Sequence, residues 1–278
     1  MKKTSYVPLT AAPWRQSETY REVLPKSPQL AGVIRCFWGS GRPYRRAWQE
    51  AAVTLVIPDT CVDIVYEIDH TANTVTGRFC GVNDASFKAR DSGEPGHVLS
   101  VFGIRFYAWA AAVFSEDSMK GTVNGCFDVR SRFCRLDRLL GQQLFETDSL
   151  EERSILAEKL LLGQVPPARR HRAVDQAVEQ ILSQKGVLTT DRLARECFIS
   201  SRQLERLFHE YIGITPKKLC GLVRYQCLWS EVIRTPGFRI LDGVSQYGYA
   251  DQSHLMREFK RYHTMDIQQA VLYGASRR

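Results

Sequence analysis

Arg202, Glu205, Arg206 and His209 fall at i, i+3, i+4 and i+7, so a helix over 201–211 would carry them on one face. Leu204, Leu207, Phe208 and Tyr211 would share the opposite face and anchor it. An arginine fork donates in parallel to guanine O6 and N7, and a major groove is wide enough to admit a helix. Arg202 and Arg206 are therefore candidate base-reading donors. Ser200 is a suitable N-cap, and serine hydroxyls with free backbone N–H groups at a helix start suit phosphate oxygens. Ser201 and Gln203 join the DNA-binding candidates on that ground.

The pattern occurs twice, at an offset of 51. Leu204-Glu205-Arg206-Leu207-Phe208 is echoed by Leu255-Met256-Arg257-Glu258-Phe259, Tyr211 by Tyr262, and the cap Ser200 by Asp251. In the second unit Gln252, Ser253, His254 and Arg257 are the side chains placed to reach base edges. Lys217, Lys218, Lys260 and Arg261 are candidate phosphate contacts. Repetition decides the reading, because one amphipathic helix with exposed arginines is commonplace.

Other chemistry is poorly supported. The eight cysteines contain no C-x-x-C pair and are expected to be free thiols, most of them small buried hydrophobes. His70 and His97 are the only histidines before residue 171, too few for an imidazole metal cluster, so neither metal nor cofactor is expected. Asp59, Asp63 and Glu67 have a spacing that suggests paired acid/base carboxylates, but a turn and solvent-facing strand positions explain them more simply. Cys126 and Cys134 lie near Arg130, Arg132 and Arg135, which would lower a thiol pKa; idle thiols are the simpler reading. No Gly-x-Ser-x-Gly, P-loop or dinucleotide fingerprint occurs, and no enzyme is expected.

The elements that must position the readers follow from periodicity. Thr189 or Thr190 caps a short helix through Cys197, Phe198-Ile199 breaks it, and the capped second helix completes a helix-turn-helix. Pro216 opens a long helix that would hold the two readers about one DNA turn, roughly 34 Å, apart. Val174, Val178, Ile181 and Leu182 form an apolar stripe before them, closed by Gly186 as C-cap. Two helices precede this part, one from Arg132 to Phe145 and one capped by Ser149. They pack either on the β-rich part or, the preferred expectation, on a second copy of the chain, which leaves a homodimer open. The linker Pro166-Pro167 is taken as the boundary.

Upstream, 52–57, 62–68 and 97–106 read as strands, with turns at 81–84 and 91–96. Trp14, Trp38, Trp48 and Trp109 make this half aromatic-rich, which suits either an apolar ligand pocket or an ordinary core. Short strands without intervening long helices favour an antiparallel barrel or sandwich. The net charge of +8 is uneven: residues 1–166 carry 20 basic and 19 acidic side chains, residues 167–278 carry 18 and 11. Only the second part is suited to a polyanion. No run approaches a membrane span and no secretory signal is evident, so a cytoplasmic location is expected.

Residues 172–274 resemble the C-terminal domain of AraC/XylS-type regulators. The resemblance rests on Leu193-Ala194, Ser200, Leu204-x-Arg206-x-Phe208, Gly213-x-Thr215-Pro216 and Arg224, and above all on the run Gly248 to Lys260. It implies seven helices, two readers in successive major grooves, and Arg202, Glu205, Arg206, Ser253, His254 and Arg257 facing bases. The second unit departs from the pattern at Gly243-Val244, Thr264 and Ile267. More faintly, Leu55–Val65 with Gly103–Phe106 is similar to the cupin-like sensor regions of one branch of that family.

The expected fold class is α+β: an N-terminal antiparallel β barrel with following helices, then an all-α domain with two helix-turn-helix units. Residues 1–125 would form the effector-binding domain, 126–166 the linker helices and 167–278 the DNA-binding domain. The expected partners are double-stranded DNA, a small-molecule effector and RNA polymerase. A DNA-repair protein or thiol-based sensor with a reactive cysteine, and a ligand-free regulator controlled by a partner, are the alternatives.

Overall fold

Alternating polarity in the first half produces strands whose apolar side chains collect on one face. The computed structural model describes residues 6–10, 20–47, 53–90, 93–164 and 169–276. The proposed linker Pro166-Pro167, together with Trp14, Trp48, Ala52, Asp91 and Ser92, lies outside the described residues. The strands are β1 (Arg21–Val23), β2 (Ile34–Gly39), β3 (Tyr44–Arg45), β4 (Val53–Val56), β5 (Cys61–Asp69), β6 (Thr74–Cys80), β7 (Phe87–Arg90), β8 (Val98–Tyr107) and β9 (Cys126–Asp128). The three expected strands appear as β4, β5 and β8.

The larger sheet is antiparallel with order β1-β2-β8-β5-β6-β9, and β3 also pairs with β8; β4 and β7 form a separate two-stranded sheet. The antiparallel sheet was expected, but its ladder does not close into a barrel. Its apolar face is buried by helices instead. A short helix α1 (Ala108–Ala111) follows β8, and α2 (Arg130–Leu140) and α3 (Leu150–Gln164) follow β9. Phe133 of α2 packs on Phe79 with ring centroids 5.0 Å apart and on Phe106 at 6.4 Å. Leu150, Ala157 and Leu161 of α3 are buried, and its Glu158 accepts hydrogen bonds from the backbone N–H groups of Lys26 (2.6 Å) and Ser27 (3.0 Å). Both helices therefore pack on the β-rich half of their own chain, while Ile155 and Leu162 of α3 stay exposed.

The other face of the sheet is polar at its centre. Arg105 is buried, donating to both carboxylate oxygens of Asp63 (2.9 and 3.1 Å) and to Thr10 Oγ1 (2.8 Å). Trp38 Nε1 donates to the same Asp63 at 2.8 Å. Asp59 is buried too, and burial raises its carboxyl pKa although Arg105 opposes the shift. Asp59 and Asp63 are thus partners of a buried guanidinium and not solvent-facing positions. A buried arginine requires such counter-charges, which is why the carboxylates turn inward.

The second half is helical: α4 (Arg172–Ser183), α5 (Thr190–Glu196), α6 (Ser201–Tyr211), α7 (Pro216–Arg234), α8 (Ile240–Gln246), α9 (Gln252–His263) and α10 (Ile267–Ser276). These are the seven helices expected. Gly186 takes φ +77° after α4, and a Cβ there would meet the Cys220 carbonyl oxygen at 2.2 Å, so only glycine allows the approach to α7. Among the described residues no helix is long and apolar enough to cross a membrane.

Cysteine pairing differs from expectation. Cys80 and Cys126 are register partners on β6 and β9 and form a disulfide; the other six cysteines are free. Sequence spacing gives no hint of it, because 46 residues separate the two and strand register brings them together.

Candidate nucleic-acid interface

The first unit is built by its caps. Thr189 accepts from Arg192 N–H to start α5, Cys197 ends it, and Phe198 reverses the chain with φ +57°. Ser200 Oγ accepts from Gln203 N–H at 3.2 Å and starts α6. Leu204, Leu207 and Phe208 are buried, while Arg202, Gln203, Glu205 and Arg206 are exposed. Ser201 donates to Asp191 Oδ1 at 2.6 Å, tying the reader to the first turn of α5. Lys217, in the first turn of α7, is exposed; His209 is half-buried.

The second unit repeats the arrangement. Asp251 Oδ1 accepts from His254 N–H at 2.7 Å to start α9. Leu255, Phe259 and Tyr262 are buried, and Gln252, Ser253, Arg257 and Lys260 are exposed. His254 is half-buried at the rim, edge-on to Tyr249 with ring centroids 5.4 Å apart. The turn here runs from Tyr247 to Asp251, one residue longer than from Cys197 to Ser200, and its left-handed position is Gly248 rather than a phenylalanine. Phe198, 91% exposed, is a side chain that sequence reasoning treated only as a helix breaker.

The connecting helix α7 is 19 residues long, ~29 Å at 1.5 Å per residue. It is more than a spacer. Arg224 on α7 grips Glu258 on α9 with three contacts of 2.7 to 3.0 Å, stacks over Tyr249 at 4.6 Å, and Tyr249 Oη donates to the same carboxylate at 3.0 Å. This half-buried network orients α9, on which the neighbouring Arg257 is exposed and donates through Nε to the Ser253 carbonyl at 3.3 Å.

The departures in the second unit have physical readings. Gly243 is buried, and a Cβ there would lie 3.0 Å from Phe238 and 3.1 Å from Leu228, so the helical glycine lets α8 sit close to α7. Thr264 takes φ +64° where the first unit has Gly213 at +89°. Ile267 opens α10 as Pro216 opens α7, after Asp266, whose Oδ1 accepts from Gln269 N–H at 2.8 Å.

One expected phosphate contact is already occupied. Lys218 is ion-paired with Asp84 of the β-rich half. Two of the three arginines near Cys134 are also engaged: Arg130 pairs with Asp128 at 2.7 Å, and Arg132 donates to the Ser118 carbonyl at 2.8 Å. Among the described residues no group of histidine, cysteine and carboxylate side chains could hold a metal ion.

Solved structures similar to this chain include an AraC-type DNA-binding domain-containing transcriptional regulator from Chromobacterium violaceum (23% identity, 37% of this chain and 92% of that one, TM-score 0.34). ToxT from Vibrio cholerae O395 aligns at 11% identity over 85% of this chain and 97% of its own, with a TM-score of 0.39. ToxT bound to (E)-4-(8-methylnaphthalen-1-yl)but-3-enoic acid aligns at 10% identity over 86% and 99%, with a TM-score of 0.41. No curated protein matches the chain. Residues 21–128 match the model of a domain of unknown function, DUF6597, and residues 193–270 match a helix-turn-helix domain. Two capped reader helices of like construction lie inside the second match, so the C-terminal part of this chain carries a helix-turn-helix domain, behind a β-rich part that matches DUF6597.

Proposed function

We propose that the protein is a sequence-specific, double-stranded-DNA-binding transcription regulator whose two readers enter successive major grooves. The observation that carries this reading is the pairing, in both α6 and α9, of a buried leucine–aromatic face with an exposed arginine-bearing face. Arg202, Glu205 and Arg206, and in the second unit Gln252, Ser253, His254 and Arg257, are assigned to base edges. Ser201, Gln203, Lys217 and Lys260 are assigned to positioning contacts along the phosphates. Activity at a promoter would further involve RNA polymerase. Selection of bound duplexes from a random-sequence pool tests this: a site with two blocks of preference about one helical turn apart is expected. Recovery of no preferred sequence overturns it.

Control by a small-molecule effector is part of the same proposal. Support comes from the polar face of the large sheet, where Arg105, Asp63, Asp59 and Trp38 converge next to the segment 6–10. That segment reaches the DNA-binding part: Leu9 N–H donates to Gln226 Oε1 of α7 at 2.8 Å, and Gln226 Nε2 donates back to the Leu9 carbonyl at 2.9 Å. A ligand that displaced segment 6–10 would thereby disturb α7, and through it both readers.

A further inference from the structure

Two loops of the β-rich half, 81–86 and 115–125, form a platform under the DNA-binding domain. They are bound to each other: Gly81 N–H donates to the Gly125 carbonyl (3.0 Å), Asn124 N–H to the Val82 carbonyl (2.9 Å), and Asp84 and Asn124 exchange hydrogen bonds of 2.9 and 2.6 Å. The platform touches the last turn of both reader helices. Met119 N–H donates to the Glu210 carbonyl of α6 at 2.9 Å. Ser86 donates through both its N–H (3.1 Å) and its hydroxyl (2.6 Å) to the Tyr262 carbonyl of α9. Asp84 holds Lys218 at the start of α7, and the Met119 carbonyl lies so close to Gly213 that a Cβ there would approach it to 2.7 Å. The disulfide Cys80–Cys126 joins the two strands from which these loops emerge, one residue before Gly81 and one after Gly125.

The geometry points to Cys80–Cys126 as a thiol–disulfide exchange site that takes a dithiol reductant and sets how firmly the platform holds the two readers. Cys126 is exposed on the edge strand and Cys80 is half-buried, so an incoming thiolate reaches Cys126 Sγ first. Its attack forms a mixed disulfide and breaks the bond to Cys80, which leaves as a thiolate and takes a proton. The second thiol of the reductant then attacks its own sulfur in the mixed disulfide and releases Cys126 as a thiolate, which is protonated in turn. Two electrons pass to the protein, and the reductant ends as a disulfide. Without the cross-link the loops are held by backbone pairing, the Asp84–Asn124 exchange and their contacts with α6, α7 and α9, and Lys218 is released more readily towards phosphate. The inference rests on the DNA-binding reading in one respect. A regulator works where its DNA is, and disulfides in such reducing compartments are mostly transient and redox-sensing.

The test uses the full chain in a Cys134→Ser background, air-oxidised or reduced with dithiothreitol, alongside a Cys80→Ser/Cys126→Ser variant. Alkylation under denaturing conditions with intact-mass readout should modify two more thiols after reduction than before; equal numbers overturn the proposal. Hydrogen exchange in 81–86, in 115–125 and at the ends of α6 and α9 should rise on reduction, and the double variant should match the reduced protein. Unchanged exchange overturns the proposal. Affinity for a random-sequence duplex should rise about five-fold or more on reduction and be insensitive to redox state in the double variant. Equal affinity in both states, with exchange altered, shows that the platform does not govern the readers and overturns the regulatory part. No duplex binding in either state, with exchange altered, refutes the DNA-binding reading and leaves the exchange site standing.

Discussion

Lys218, at the amino end of the connecting helix, is held by Asp84 from a turn of the β-rich half 134 residues away. The lysine that charge alone would assign to a phosphate is thus part of the contact between the two halves. Asp84→Ala should release one cation to the duplex. We expect tighter binding to any sequence and a log-affinity against log-salt slope steeper by about one, measured by anisotropy titration over a salt series. An unchanged slope would mean that Lys218 lies out of reach of the DNA.

Arg206→Ala and Lys217→Ala separate reading from holding. The first should cost ~1–3 kcal/mol on the selected site and little on random duplex, relaxing preference at one position. The second should weaken all duplexes alike. Equal losses on both duplexes for Arg206→Ala would remove its assignment to a base.

His263 makes stability depend on pH. It is buried beneath α7, stacked on Phe259 at 4.9 Å and edge-on to Trp229 at 4.7 Å, with Nδ1 2.8 Å from Tyr225 Oη and Nε2 without a hydrogen-bond partner among the described residues. Burial pushes its pKa down to about 4 from the ordinary 6.5. Between those values the unfolded chain binds a proton that the folded chain refuses, so stability is full above 6.5 and falls as pH drops towards 4. The loss is about 3 kcal/mol at the lower limit, of the order expected for such a shift. Denaturant midpoints measured from pH 7 to pH 4 should fall, and His263→Phe should flatten that part of the slope.

Thr264 is strained and Gly213 is needed. A β-branched residue at φ +64° lies in a region that costs an L-residue roughly 1–2 kcal/mol. Its hydroxyl contact with the His263 carbonyl at 2.6 Å offsets only part of that. Thr264→Gly should raise stability by about 1 kcal/mol, whereas Gly213→Ala should lower it by more, since the new methyl would also meet Met119 and Thr122. Paired denaturation curves check both signs. Destabilisation by Thr264→Gly would show that the left-handed conformation is not a source of strain.

Both readers were legible in the sequence because everything that defines them is local. The caps Ser200 and Asp251 satisfy N–H groups three residues on, and Leu204, Leu207 and Phe208 fall on one face by helical periodicity alone. The proline opening α7 is local in the same way. Periodicity also placed β5, where alternation is strong, but not the short edges β1 and β9, which exist by pairing with a neighbour.

Tertiary structure alone decided which charges are free. Nothing near Asp63 announces Arg105, 42 residues on, and nothing near Ser86 announces the Tyr262 carbonyl, 176 residues on. The same holds for Cys80 and Cys126, joined by strand register, and for α2 and α3, which cover the sheet that was expected to close on itself. The physical reason is range. Helix periodicity and capping act within one or two turns, whereas burial, ion pairing and cross-strand register depend on which surfaces the folded chain brings together.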